Sequence, residues 1–355
     1  MLKANKGEWS ELYALFKIFD VKQVAAADEK LNPIKGQFYT FLKVIREDNP
    51  ESKLEYNLEK PGLVVIYDAD GNEQKTLNTS ELGTKTRKIL ESIIQSSSPS
   101  FEIPLAENLM SEYLLNKIKA NSSQKADLVA VLLDRITSQK PELGFSIKSQ
   151  LGGASTLLNA SAQTNFIYKV NGYSGAIEDI NNISGSSKVR DRLSELKKKG
   201  ATLEFQSTSS SVFNSNMRFI DSSFTSIISG MLVAYYSGQG KNVPDLCRIV
   251  GDAKIPDMDG NEIAYKVKAF LRAIALGMVP SKPWDTYLNT YGGYLVVKEN
   301  GEIVCYHLYN DDQFKDYLYN NTHFETPSTG RHGFGILYEE NGELKIKLNL
   351  QIRFN

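Results

Sequence analysis

The chain has 355 residues and 41% hydrophobic content, enough for two domains or one large domain with insertions around a sizeable core. Its formal net charge is −1, so any surface for a polyanion must be a local basic footprint on a near-neutral protein. No apolar run approaches the roughly 20 residues of a bilayer span, the opening Met1-Leu2-Lys3-Ala4-Asn5-Lys6-Gly7 lacks a signal-peptide core, and the two cysteines, Cys247 and Cys305, suit packing in a reducing, cytoplasmic compartment.

The first predicted element is a helix from about Gly7 to Phe19, where Leu12, Leu15, Phe16 and Phe19 fall at helical spacing. Glu8 extends that apolar face and Glu11 follows one turn on. An acid carried inward on a buried helix needs a partner, either the positive end of the helix dipole or a metal ion. Residues from about Phe38 to Asn78 combine a helix with strands, of which Leu63-Val64-Val65-Ile66-Tyr67 is the clearest. Asp68-Ala69-Asp70-Gly71 and Asp257-Met258-Asp259-Gly260, each followed by Asn-Glu, resemble calcium loops. Glu73 and Glu262 stand where such a loop needs glycine, so both are expected to be turns.

Helices at Thr84–Gln95 and about Glu107–Ala120 flank the loop Ser96-Ser97-Ser98-Pro99-Ser100 and lead to an apolar strand opened by Asp127. The next strand, Gly144-Phe145-Ser146-Ile147-Lys148-Ser149-Gln150-Leu151-Gly152, has a lysine inside it. A further strand, Asn165–Val170, precedes helices at about Ser174–Ile183 and Ser186–Lys199. The second of these carries Lys188, Arg190, Arg192, Lys197, Lys198 and Lys199, a candidate phosphate-contacting face or a solvated helix partnered by Asp191 and Glu195. Helical segments at Met217–Tyr236 and about Glu262–Leu276 end before Pro280 and Pro283. The C-terminal part turns to β structure, with hairpins of Tyr294–Lys298 and Glu302–Leu308 across Asn300-Gly301, and of Gly335–Tyr338 and Leu344–Ile352 across Asn341-Gly342.

All three histidines, His307, His323 and His332, lie in this last region, and no Ser-His-acid triad, nucleophile elbow, Walker loop or dinucleotide glycine fingerprint is present. The loop Thr326-Pro327-Ser328-Thr329-Gly330-Arg331-His332-Gly333 suits phosphate and base-edge contacts, or is an ordinary surface loop. Asp127 and Lys148 carry the sharpest chemistry. They are 148 − 127 = 21 positions apart, on strands that adjacency would bring together. A carboxylate holds Mg²⁺ through hard oxygens, and a lysine supplies a compact cation for an attacking water and a pentacovalent phosphorane. The same pair would also serve as a salt bridge at a sheet edge. Gln150, two positions after Lys148, would share its side of the strand and orient water or phosphate, or be a polar edge residue.

Three blocks carry a resemblance. Asn5-Lys6-Gly7-Glu8-Trp9-Ser10-Glu11-Leu12-Tyr13, the lysine strand with Thr156-Leu157-Leu158-Asn159-Ala160, and Thr326–Thr329 with Arg331-His332 and Lys347-Leu348-Asn349-Leu350-Gln351-Ile352-Arg353-Phe354 are similar to the HpaII type II restriction endonuclease family. The resemblance implies an enzyme that cuts double-stranded DNA at a short palindrome, with CCGG as the expected target and Mg²⁺ as cofactor. It implies an α/β (α+β) fold like the PD-(D/E)xK nucleases, a mixed central sheet flanked by helices. Residues 1–110 would add an N-terminal α+β region, 111–240 the catalytic core and 241–355 the recognition region.

In that frame Asp127 matches the metal-binding acid and Lys148 the catalytic lysine, while Ser146 stands where the superfamily usually has Asp or Glu. Where some enzymes with a Ser-x-Lys strand recover the acid from a following helix, the corresponding neighbourhood here offers Gln163 and Asn165, not an acid. Glu8 is the leading replacement, with Glu11, Asp134 and Glu142 behind it. Lys188, Arg190, Arg192, Ser328, Arg331 and His332 are the expected DNA contacts. A palindrome is most simply read by a homodimer, with a cognate methyltransferase as a functional partner that need not make direct contact. A DNA-binding module with a degenerate nuclease fold, and a non-restriction nuclease using the same acid and lysine, are the alternatives.

Overall fold

The first helix begins where its cap chemistry puts it. In the computed structural model, which describes residues 2–48, 53–119, 126–133, 138–254, 257–287, 292–307, 310–328 and 330–355, this helix spans Lys6–Val21. The Asn5 side chain accepts the Glu8 N–H at 3.0 Å and the Glu8 carboxylate accepts the Asn5 N–H at 2.9 Å, so two orphan donors are satisfied reciprocally. Trp9, Leu12, Phe16 and Phe19 are buried on its inner face. Phe19 stacks on Tyr56 and Tyr113 with ring centroids 4.9 and 5.4 Å away. Fully burying such a side chain contributes roughly 1.5–3 kcal/mol, which outweighs the helix's intrinsic propensity.

The chain divides into two compact units, Met1–Ser155 with Asn289–Tyr317, and Thr156–Leu288 with Leu318–Asn355. This differs from the three consecutive regions expected from sequence, because a late hairpin is a structural part of the first unit. Among the described residues, that unit's nine-stranded sheet runs in the order Gln23–Ala27, Ile303–Tyr306, Gly293–Val297, Glu142–Ser149, Leu128–Leu133, Pro33–Glu47, Lys53–Asn57, Leu63–Tyr67, Glu73–Asn78. Gly293–Val297 runs parallel to Glu142–Ser149, as Gln23–Ala27 does to Ile303–Tyr306, and the remaining neighbours are antiparallel, so the sheet is mixed as expected. A further pairing of Gln23–Ala27 with Pro33–Glu47 links six strands into a closed cycle. Gly293 has φ +101°, and a Cβ there would lie 1.9 Å from the Tyr306 carbonyl oxygen, so only glycine admits this strand beside its partner.

The second unit has an antiparallel sheet ordered Thr202–Thr208, Asn165–Asn171, Glu343–Asn349, Leu337–Glu340, and a small one of Thr322–Phe324, Ile352–Phe354 and Thr156–Leu158. The helical segment expected over Met217–Tyr236 is two helices, Ser211–Arg218 and Phe224–Tyr236. Asp221 breaks it by accepting the Ser223 N–H at 2.9 Å while pairing with Lys266. The helix expected at Glu107–Ala120 is shorter, Pro104–Glu112, and ends just before Leu114 in the left-handed region at φ 59°. The helix Val243–Asp252, with Pro244 in its first turn, escaped the periodicity reading.

Neither calcium-like tetrapeptide forms a loop of that kind. Asp68 closes a turn by accepting from the N–H groups of Asp70 and Asn72, and Asp259 caps the helix Gly260–Ala275 in a capping box with Glu262. Cys247 and Cys305 are buried and unpaired, and burial pushes the Cys247 thiol up to about 12. Among the described residues, no helix is long and apolar enough to cross a membrane.

Candidate active site

Asp127 lies one residue before the strand Leu128–Leu133, and its N–H donates to the Phe145 carbonyl at 2.9 Å. That antiparallel register, with Leu128 opposite Phe145, brings the carboxylate beside the middle of the lysine strand. Its Oδ2 accepts from the Ser146 hydroxyl at 3.0 Å and from the Ile147 N–H at 2.8 Å. Among the described residues Oδ1 makes no hydrogen bond. Ser146 therefore does not stand in for an acid; it fixes the orientation of one.

Lys148 is two positions after Ser146 and shares its side of the strand. Its ammonium lies over the Tyr294 ring, 5.5 Å from the centroid. Tyr294 is 2% exposed and sits in register opposite Ser146 on the parallel neighbouring strand. The ring face attracts the ammonium without neutralising it. Asp127 and Lys148 form no salt bridge with each other, so the sheet-edge ion pair considered from sequence is absent.

The second carboxyl of this place comes from the first helix. Burial pushes the Glu11 carboxyl up to about 7, and the negative charge of Asp127 adds to that rise, while Lys119 and Lys148 oppose it. Glu11 thus shares one electrostatic environment with Asp127 and Lys148, and its Oε1 is 3.4 Å from Lys119 Nζ. Glu8, one turn earlier, has its carboxylate in the capping box and 3.8 Å from the same lysine. Helix and strand are tied by the Ser149 hydroxyl, which donates to Ser10 Oγ at 2.9 Å. Glu11, Lys148 and Ser149 line a cleft of about 720 Å³ whose rim includes Ser96–Pro99 and Gly152–Gly153. Glycines and hydroxyls leave room and donors for a phosphate backbone.

The remaining candidates fall elsewhere. Gln150 is exposed just beyond the strand end, its N–H donating to the Val297 carbonyl at 2.9 Å. Glu142 is exposed at the start of the lysine strand, and Asp134 lies outside the described residues. Gln163 is exposed, whereas Asn165 is buried and donates to the His332 carbonyl at 2.7 Å. Among the described residues no group of three or more His, Cys, Asp or Glu side chains could hold a metal. Two hard carboxyls whose mutual repulsion a cation would relieve nevertheless suit Mg²⁺, which typically takes one or two carboxylates plus water and phosphate oxygens.

In the second unit, Lys188, Arg190 and Ser328 line one pocket, although 328 − 188 = 140 positions separate the first from the last. Arg331 and His332 sit on the short turn Gly330–His332 and are not part of that lining. The expectation for Arg192 is corrected: its guanidinium is buried and donates to the carbonyls of Asn181, Ile183 and Gly335. A cation spent on three internal carbonyls has no reach to a phosphate. Arg192→Leu is expected to cost about 3 kcal/mol, because it strands those acceptors, read as a fall in urea midpoint at unchanged slope. A wild-type midpoint would refute this internal role.

A family model described as HpaII restriction endonuclease matches residues 5–354. The type II restriction enzyme HpaII of Haemophilus parainfluenzae is 38% identical over 357 residues, covering 99% of this chain and 98% of that protein. No solved structure matches the chain.

Proposed function

The chain belongs to the HpaII restriction endonuclease family, and from that premise we propose that it cleaves both strands of DNA at the palindrome CCGG in a Mg²⁺-dependent reaction. The family is one of type II site-specific deoxyribonucleases, so hydrolysis of a phosphodiester is the chemistry the site must perform. The observation that carries the assignment of residues is that Glu11 and Lys148 line one cleft, with Asp127 held against the lysine strand by Ser146 and its charge acting on Glu11. A mixed sheet with the acid strand beside the lysine strand supports a PD-(D/E)xK-like arrangement.

Asp127 and Glu11 would hold the Mg²⁺, while the Ser146 hydroxyl and the Ile147 N–H keep Asp127 Oδ2 still. A bound Mg²⁺ supplies charge neutralisation at the scissile phosphate and a more acidic water. The Lys148 ammonium orients the attacking water and stabilises the charge that builds on the phosphorane oxygens. Tyr294 holds that ammonium in place without a competing anion. The leaving oxygen departs in line, giving 5′-phosphate and 3′-hydroxyl ends. A homodimer with one site per subunit matches the two-fold symmetry of the target, and a methyltransferase of the same specificity would protect host DNA without contacting this chain. Recognition falls to the second unit, with Arg331 and His332 as base or phosphate readers.

The test is digestion of unmethylated plasmid DNA in Mg²⁺ and in EDTA, with the fragment ends sequenced and Lys148→Ala run alongside. Discrete CCGG ends that need both Mg²⁺ and Lys148 are expected. Ends at another palindrome would discard the target, wild-type cutting by Lys148→Ala would discard the catalytic assignment, and intact DNA under binding conditions would favour a degenerate binding module.

A further inference from the structure

The second unit holds a pocket of about 390 Å³ that the hydrolytic chemistry does not use. Its cations are Lys188 and Arg190, both exposed at the start of the helix Lys188–Lys198. Among the described residues neither joins an ion pair, and neither is turned inward onto backbone carbonyls as Arg192 is. The same pocket is lined by Ser328 and by an apolar wall of Tyr235, Pro327 and Phe334.

This wall is built, not incidental. The Tyr235 hydroxyl lies 3.0 Å from Thr326 Oγ1, which ties the Pro327-Ser328 segment to the helix Phe224–Tyr236. Tyr236 anchors the same helix end from the other side by donating to the Asn349 carbonyl at 3.0 Å. Arg190 runs over Gly238, where a Cβ would come within 3.1 Å of Nε and where φ is +76°. Glycine at that position keeps the path of the guanidinium open.

We propose that this pocket binds one nucleotide of a DNA strand, the phosphate between Lys188, Arg190 and Ser328, and the sugar and base against Tyr235, Pro327 and Phe334. An arginine fork and a lysine point charge together match a phosphate, and an aromatic face matches any base without reading its identity. The volume falls within the range of small-ligand sites. That the strand is DNA rests on the restriction-endonuclease reading; the preference for a phosphate carrying an aromatic group rests on the pocket alone.

Full-length wild type, Lys188→Gln, Arg190→Gln and the double variant would be titrated with a fluorescent duplex in EDTA over a KCl series. The double variant is expected to flatten the plot of log affinity against log salt by about 0.9, the effect of one lost phosphate contact, with each single variant flattening it less. The loss should be equal for CCGG and scrambled duplexes. A wild-type slope for the double variant overturns the proposal. So does a pattern in which a deoxynucleoside monophosphate or inorganic phosphate raises the melting temperature of wild type but not of the double variant while duplex binding is unchanged, which would assign the pocket to a free ligand. Should the double variant fail to fold, Arg190→Lys keeps the charge and removes the fork: weaker binding at unchanged slope supports the site, and wild-type binding overturns it. Because binding is read without cutting, absence of cleavage by the wild type would count against the hydrolytic reading and leave this test intact.

Discussion

Asp127→Asn is expected to bind duplex DNA in Ca²⁺ as the wild type does and to cut it in Mg²⁺ on the order of 10³-fold more slowly. The substitution is clean because an asparagine carbonyl can accept the same two hydrogen bonds, from the Ser146 hydroxyl and the Ile147 N–H, that Oδ2 now accepts. What it removes is the charge that would hold the cation. A thousandfold loss is about 4 kcal/mol of transition-state stabilisation, the scale expected when a divalent ion is no longer held against the scissile phosphate. Single-turnover rates at several Mg²⁺ concentrations would separate weaker ion binding from slower chemistry. A rate within tenfold of wild type at saturating Mg²⁺ would remove Asp127 from the metal site.

Glu11→Gln is expected to lower the cleavage rate by on the order of 10²-fold, whereas Glu8→Gln should leave it within about threefold of wild type. The two residues are one turn apart on one helix, and only their surroundings differ. Glu11 is half-buried where the charges of Asp127 and Lys148 act on it and lines the cleft, while Glu8 accepts the Asn5 N–H at the helix start. Glutamine at position 8 can still complete a capping box, so the fold is kept. Alanine there should cost about 1 kcal/mol of stability, with little change in the rate per folded molecule. The reverse ranking, with Glu8→Gln inactive and Glu11→Gln active, would transfer the second metal-binding role to Glu8.

Local chemistry made much of this protein legible from its residues. Leu63–Tyr67 is a strand as expected, the hairpin turns at Asn300-Gly301 and Asn341-Gly342 are where asparagine-glycine pairs predict them, and the first helix starts at its capping box. Such features depend on residues within a few positions of each other, and so does the alternation that sets Ser146 and Lys148 on one side of a strand. Elements whose identity depends on distant partners were less visible. The strands Gln23–Ala27 and Pro33–Glu47 are held by pairing to Ile303–Tyr306 and Leu128–Leu133, and carry little alternation of their own.

The amino-acid sequence by itself determined the family, singled out Asp127 and Lys148 as candidates, and set much of the secondary structure that carries them, because caps, turns and hydrophobic periods are short-range. Only the tertiary structure decided that Glu11 shares the environment of Asp127 and Lys148, that Tyr294 lies beneath Lys148, and that Arg192 turns inward. It also decided that the hairpin of Gly293–Val297 completes the sheet of the first unit. Each of these rests on strand register, helix rotation or burial set by contacts between residues far apart in the chain. A side chain's charge state and reach follow from those contacts, and no local pattern of residues encodes them.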